Sequence, residues 1–101
     1  TVTQATNKTT GVTLNTANGL ITMNNAALGA DAIASFTLTN DKIHDTDFIF
    51  LQHDSVATVG AYVFCAQPAE GSAVITVTNI STGSLSNAIV IRFMRFAGAS
   101  S

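Results

Sequence analysis

Apolar and polar residues alternate along much of the chain with a period of two. In residues 36–39, Phe36 and Leu38 share one face and the threonines share the other, and residues 11–15 and 75–78 repeat the pattern. This period is typical of β-strands with one buried and one solvent-facing side. The alternation therefore predicts strands in all three segments.

The segments between these strands carry turn residues at regular spacing. Asn18-Gly19 is a strong hairpin dipeptide, and it predicts a turn into a strand over residues 19–24 with Ile21 and Met23 on the inner face. Other predicted turns lie at 24–25, 40–41, Gly60, 68–71 and Gly83, while residues 26–34 are predicted to form a loop. About eight strands at a spacing near ten residues predict an all-β fold, an antiparallel β-sandwich of jelly-roll-like type.

Three segments break the alternation because they are apolar on both faces. These are residues 47–54, 62–65 and 88–96. In the first of them, Phe48 and Phe50 oppose Ile49 and Leu51. A small sandwich has one core, so a strand with two apolar faces indicates a second buried surface, for which another copy of the chain is the simplest source.

Length and charge narrow the classes of function. The 101 residues suit a single domain, 1–101, with a core large enough to fold without disulfides or metals. The lone Cys65 excludes an intrachain disulfide. Only 10% of residues are charged and the net charge is −2, so we expect neither a nucleic-acid partner nor a membrane partner.

One acidic and histidine-containing segment is a candidate for metal binding. Its oxygen and imidazole donors could hold a divalent cation; they are Asp41, His44, Asp45, Asp47, His53 and Asp54. The segment lacks the glycine and terminal glutamate of a calcium loop, and its histidines lack the spacing of a zinc helix. The favoured interpretation is that the aspartates bond their own backbone in turns and that each histidine ends a strand. No cofactor is expected.

Catalytic patterns are absent from the sequence. Cys65 lies in an apolar strand, where a thiol is usually an inert small hydrophobe. Glu70 is the only glutamate, and no serine occupies a nucleophile elbow. The sequence therefore predicts a protein that is not an enzyme.

Most of the chain resembles small virion proteins of tailed bacteriophages. The resemblance begins in residues 1–15, 19–28 and 35–40, and continues through 60–62, 71–72, 75–80, 83–86 and 88–93. Residues 43–54 depart from the family pattern, which is more aliphatic and contains fewer His and Phe residues there.

The resemblance implies a non-enzymatic structural component of the particle exterior, either a capsid decoration (cement) protein or a head-fibre component. Its expected partners are further copies of itself, as a homotrimer, together with the major capsid protein or other virion proteins. The alternative is a receptor- or glycan-binding module of a tail fibre. In either case a metal-stabilised variant would use the candidate donors above.

Overall fold

Eight β-strands and no helix make up the part of the chain that the computed structural model describes, residues 2–55 and 61–96. The strands are β1 (Val2–Thr3), β2 (Val12–Thr13), β3 (Asn18–Thr22), β4 (Ile33–Thr39), β5 (Phe48–Ser55), β6 (Tyr62–Ala69), β7 (Ser72–Asn79) and β8 (Val90–Phe96). The predicted turn at Gly60 lies outside the described residues.

The strands form two four-stranded sheets. Sheet A has the order β1-β3-β8-β5, and sheet B has the order β2-β4-β7-β6. This confirms the predicted all-β, sandwich-like fold, while jelly-roll connectivity stays a prediction. The sheets are mixed rather than purely antiparallel, because the two-residue strands β1 and β2 lie parallel to β3 and β4. Both lie at an outer edge of their sheets.

The core lies between the inner faces of the two sheets. Sheet A contributes Ile21, Ile91 and Phe93, and sheet B contributes Leu38 and Ile75, all with no exposed surface. Burial of each such side chain stabilises the fold by about 1.5–3 kcal/mol. The alternation predicted from Phe36 and Leu38 is confirmed, because exposed and buried residues alternate along β4 from Ile33 to Thr39.

The hairpin predicted at Asn18-Gly19 is wrong. Both residues belong to β3, where they pair with Met94 and Phe93 of β8, and β2 lies in the other sheet. A side chain at position 19 would instead crowd its neighbours, because a Cβ there would lie 2.8 Å from Cδ2 of Leu14. Close packing across the sandwich therefore explains this glycine.

The hairpin that the structure does contain joins β6 to β7. Ala69 pairs with Ser72, so Glu70 and Gly71 form a two-residue turn, and Gly71 has a φ of 78° that favours glycine. Pro68, predicted to start the turn, lies inside β6. A proline is tolerated there because β6 is an edge strand of sheet B.

Candidate assembly surface

The outer face of sheet A carries a cluster of exposed apolar side chains. Successive side chains of a strand point to opposite faces, so Phe48 and Phe50 of β5 point away from the core that Ile49 and Leu51 contact. We call the cluster the aromatic face; it consists of Phe48, Phe50, Met94 and Phe96.

Strand register brings the four side chains together. Phe48 pairs with Phe96 and Phe50 pairs with Met94 across the β5–β8 ladder. The rings of Phe50 and Phe96 meet edge to face, with centroids 5.2 Å apart and planes at 83°. Edge-to-face contact is a preferred arrangement of aromatic pairs.

All four side chains remain open to solvent. The exposed fractions are 67% for Phe48, 64% for Phe50, 46% for Phe96 and 39% for Met94. Because an aromatic side chain presents about 150–250 Å², the aromatic face exposes roughly 400 Å² of apolar surface. That is comparable to the largest apolar patch of a typical monomer, which is often functional.

A groove of about 410 Å³ runs along this face. Phe50, Met94 and Phe96 line its apolar part, and Gln52 and Arg92 line its polar end. Arg92 donates to Oδ1 of Asp54 from Nε at 3.1 Å and from Nη2 at 2.9 Å. The pair neutralises the charge at this end, so the groove favours an apolar, uncharged partner.

The aromatic face borders an open sheet edge. Strand β5 is the last strand of sheet A, and residues Phe48–Ser55 contain no proline or lysine. Edge strands usually carry protective features, because an unprotected edge pairs with other chains. In β5 these features are confined to its C-terminal end, where Asp54 and a register shift between His53 and Ser55 lie. The edge and the aromatic face therefore form one continuous surface suited to another polypeptide.

The outer face of sheet B has the opposite character. Hydroxyl-bearing residues of β4 and β7 lie side by side there, and the Ser35 and Thr76 hydroxyl oxygens are 3.0 Å apart. Cys65 lies in the same row as Thr76 and is exposed, so the expectation of a buried thiol is wrong. The error arose because β6 points its odd-numbered residues outward, which puts Val63 and Cys65 in solvent.

The predicted metal donors are not assembled into a site. Within residues 2–55 and 61–96, no group of three His, Cys, Asp or Glu side chains is placed to hold a metal ion. Asp54 pairs with Arg92, and the imidazole of His53 lies against the ring of Phe64 with centroids 6.0 Å apart. Asp41 and Asp45 are exposed.

The remaining donors stabilise the turn before β5. The backbone N–H of His44 donates to Oδ2 of Asp47 at 2.9 Å, as expected for an aspartate in a turn. The same oxygen accepts from Nε of Arg95 at 2.9 Å, and the Asp47 side chain is only 3% exposed. His44 Nδ1 lies 2.7 Å from Oε1 of Glu70, in an exposed pair. His44 therefore lies in a turn, and His53 lies inside β5, so the prediction that each histidine ends a strand is wrong.

Sequence reasoning missed a buried polar cluster at one end of the sandwich. Lys8 is 3% exposed, and its ammonium group donates to the backbone carbonyl of Asn24 and, at 2.6 Å, to that of Asn87. The hydroxyl of Tyr62 donates to Oδ1 of Asn87 at 2.8 Å. Gln4, 2% exposed, accepts from the N–H of Asn24 at 2.9 Å.

No sequence signal reveals this cluster, because Lys8 stands among Thr and Asn residues that suggest an exposed loop. Burial lowers the pKa of Lys8 below its ordinary value of 10.5. Burial also raises the pKa of Tyr62 above 10.0, which keeps the phenol a hydrogen-bond donor.

None of the described segments forms a helix with the length and apolarity that crossing a membrane requires. A scan against protein-family models finds no matching family, and searches of curated proteins and of solved structures find no match.

Proposed function

We propose that this chain is a non-enzymatic structural protein of the virion exterior, a capsid decoration protein or head-fibre component that self-associates as a homotrimer and contacts the major capsid protein or other virion proteins. The aromatic face is the observation that carries the proposal. The proposed location on the virion is supported by the resemblance of the sequence to small virion proteins of tailed bacteriophages.

The aromatic face is too small to hold an assembly together by itself, but it can form part of a larger interface. Burying roughly 400 Å² of apolar surface stabilises a complex by about 10 kcal/mol at 25 cal/mol per Å². Association costs about 4–15 kcal/mol in lost freedom of motion. The face alone is therefore marginal, and a stable assembly needs the β5 edge as well, since a standard interface buries about 800 Å² per partner.

Self-association is tested by light scattering coupled to size-exclusion chromatography. We expect a trimer for the unaltered chain and a monomer for Phe50→Ser with Phe96→Ser, with circular dichroism unchanged. Ile33→Ser is the matched control, because Ile33 is equally exposed, at 65%, but lies on the outer face of sheet B. A monomer at high micromolar concentration before any substitution would overturn the proposed self-association.

Virion location needs its own experiment. Antibodies against the chain should label the outside of intact particles in electron micrographs, and particles without label would exclude a place on the exterior.

The second candidate function is a receptor- or glycan-binding module of a tail fibre. Exposed aromatic rings beside a groove are one way in which β-sandwiches hold sugars, and Phe50 and Phe96 provide such rings. Binding on a glycan array that is lost in Phe50→Ser but kept in Ile33→Ser would favour this function over assembly.

A further inference from the structure

In the buried cluster at the end of the sandwich, Asn87 has two contacts: the amine of Lys8 meets its backbone, and its side-chain amide accepts a hydrogen bond. Lys8 Nζ lies 2.6 Å from the backbone carbonyl oxygen of Asn87. The side-chain amide carbon of Asn87 is separated from that carbonyl only by Cα and Cβ. The Tyr62 hydroxyl contacts the amide oxygen, Oδ1, at 2.8 Å.

The burial of Lys8 makes its amine easier to deprotonate than that of a lysine in water. The side chain is 3% exposed, and its partners are the two carbonyl groups of Asn24 and Asn87. Among the described residues, no ion pair involves Lys8. A buried lysine without a carboxylate loses its proton more easily than one in water, and a desolvated neutral lysine is a nucleophile.

The surroundings of the amide favour attack on it. A hydrogen bond to Oδ1 draws electron density from the amide carbon and stabilises the negative charge that forms on the oxygen during attack. Tyr62 is 8% exposed and stays protonated. The fold holds the amine against the backbone carbonyl of Asn87, three bonds from the amide carbon, so the two groups meet after a local movement of the Lys8 and Asn87 side chains.

We propose that Lys8 and Asn87 form an intramolecular isopeptide bond, with Tyr62 as the hydrogen-bond donor to the reacting carbonyl. The neutral Nζ attacks Cγ of Asn87, and a bond forms between them. The bond from Cγ to Nδ2 then breaks, and Nδ2 leaves as ammonia with the proton that Nζ gives up. A primary amide and an amine become a secondary amide and ammonia, so neither an oxidant nor a reductant is consumed.

The consequence is a covalent link between the segment before β2 and the segment before β8. Lys8 and Asn87 are 79 positions apart, so the link would enclose most of the domain. This inference is independent of self-association, and either can fail without the other.

Intact-mass spectrometry of the folded, full chain tests the bond. We expect a mass below that of the sequence by one ammonia molecule, with a fraction that grows at mildly alkaline pH. Trypsin should no longer cleave after Lys8, and a branched peptide should join Lys8 to Asn87. Tyr62→Phe should slow the reaction about a hundredfold, the typical effect of losing one such donor.

Lys8→Arg is the matched control, because an arginine can donate to both carbonyls but is not a nucleophile at this pH. It should retain the full mass. Ring closure at Asn18-Gly19 would also release ammonia, but it would persist in Lys8→Arg and give no branched peptide. A folded chain of full mass after long incubation at alkaline pH, with Lys8 still cleaved by trypsin, would overturn the proposal.

Discussion

The rings of Phe50 and Phe96 contact each other edge to face on the solvent side of sheet A, with centroids 5.2 Å apart. They belong to neighbouring strands and lie diagonally, since Phe50 pairs directly with Met94 and Phe96 with Phe48. The contact fixes both rings while leaving each largely exposed. A surface held in this way loses little side-chain freedom when a partner binds, which favours association.

The ring contact should be measurable as a coupling energy. In a double-mutant cycle of Phe50→Ala and Phe96→Ala, we expect a coupling of about 0.5–1.5 kcal/mol, as for other aromatic pairs. Urea unfolding at a concentration where the chain is monomeric provides the measurement. Strictly additive losses would show that the rings do not interact in solution.

Core and surface residues of β4 should differ sharply in their effect on stability. Leu38 has no exposed surface, so Leu38→Ala should lower the free energy of unfolding by about 2–5 kcal/mol. Ile33 is on the same strand but is 65% exposed, so Ile33→Ala should lower the free energy of unfolding by less than about 0.5 kcal/mol. Chemical unfolding of both variants decides the matter, and similar losses would contradict the placement of the core.

Gly19 should resist even a methyl group. A Cβ there would lie 2.8 Å from Cδ2 of Leu14 and 3.3 Å from Cε1 of Phe93, so Gly19→Ala should destabilise the domain by about 1–3 kcal/mol. Gly83→Ala is the control, because a Cβ at Gly83 meets no atom within 4 Å. Thermal unfolding should also show a smaller cost of Gly19→Ala when Leu14→Ala is already present. An equal cost with and without Leu14 would rule out this clash.

Tyr62 should make stability fall at alkaline pH. Burial raises the pKa of Tyr62 above 10.0, so above that pH the unfolded chain releases the phenol proton before the folded chain does. The stability from the neutral phenol is therefore complete below pH 10.0 and is lost as pH rises through the folded-state pKa.

Tyr62→Phe lacks this titration. It should be less stable by about 1 kcal/mol at neutral pH, because the hydrogen bond to Asn87 is lost, and the difference should narrow above pH 10.0. Both proteins should carry Lys8→Arg, so that Lys8 neither titrates nor reacts. Urea unfolding measures this difference at each pH. A difference in unfolding free energy that stays constant across this pH range would contradict a buried phenol.

Much of the fold followed from side-chain periodicity alone. Phe36 and Leu38 are buried as expected, and so are Ile75 and Val77. The exposed second face of β5 was also expected, because Phe48 and Phe50 had no core left to fill. Each of these predictions depends on a local pattern in which position along the strand determines the side of the sheet.

The errors concern how strands and loops pack against one another. Gly19 looked like a turn residue, yet it lies in β3, where a side chain would crowd Leu14 and its pairing partner Phe93 on β8. Lys8 lies in a loop, as its neighbours suggest, but it is buried, and its partner Asn87 is 79 positions away in the sequence. Cys65 looked buried since apolar residues surround it in sequence, but the sheet turns it outward. A local pattern carries no information about such partners.

The order of strands has a consequence for synthesis on the ribosome. Among the eight described strands, β6 and β7 are the one pair adjacent both in sequence and in a sheet, and every other connection crosses between sheets. Strand β8 lies between β3 and β5, so these two strands of sheet A are not joined until β8 has left the exit tunnel. Until then β5 has no partner in sheet A, β3 pairs only with the two-residue β1, and both expose residues of the core. Sheet A can therefore close only after β8 has emerged, and Phe48 and Phe50 of neighbouring nascent chains on one messenger can meet before either sheet has closed.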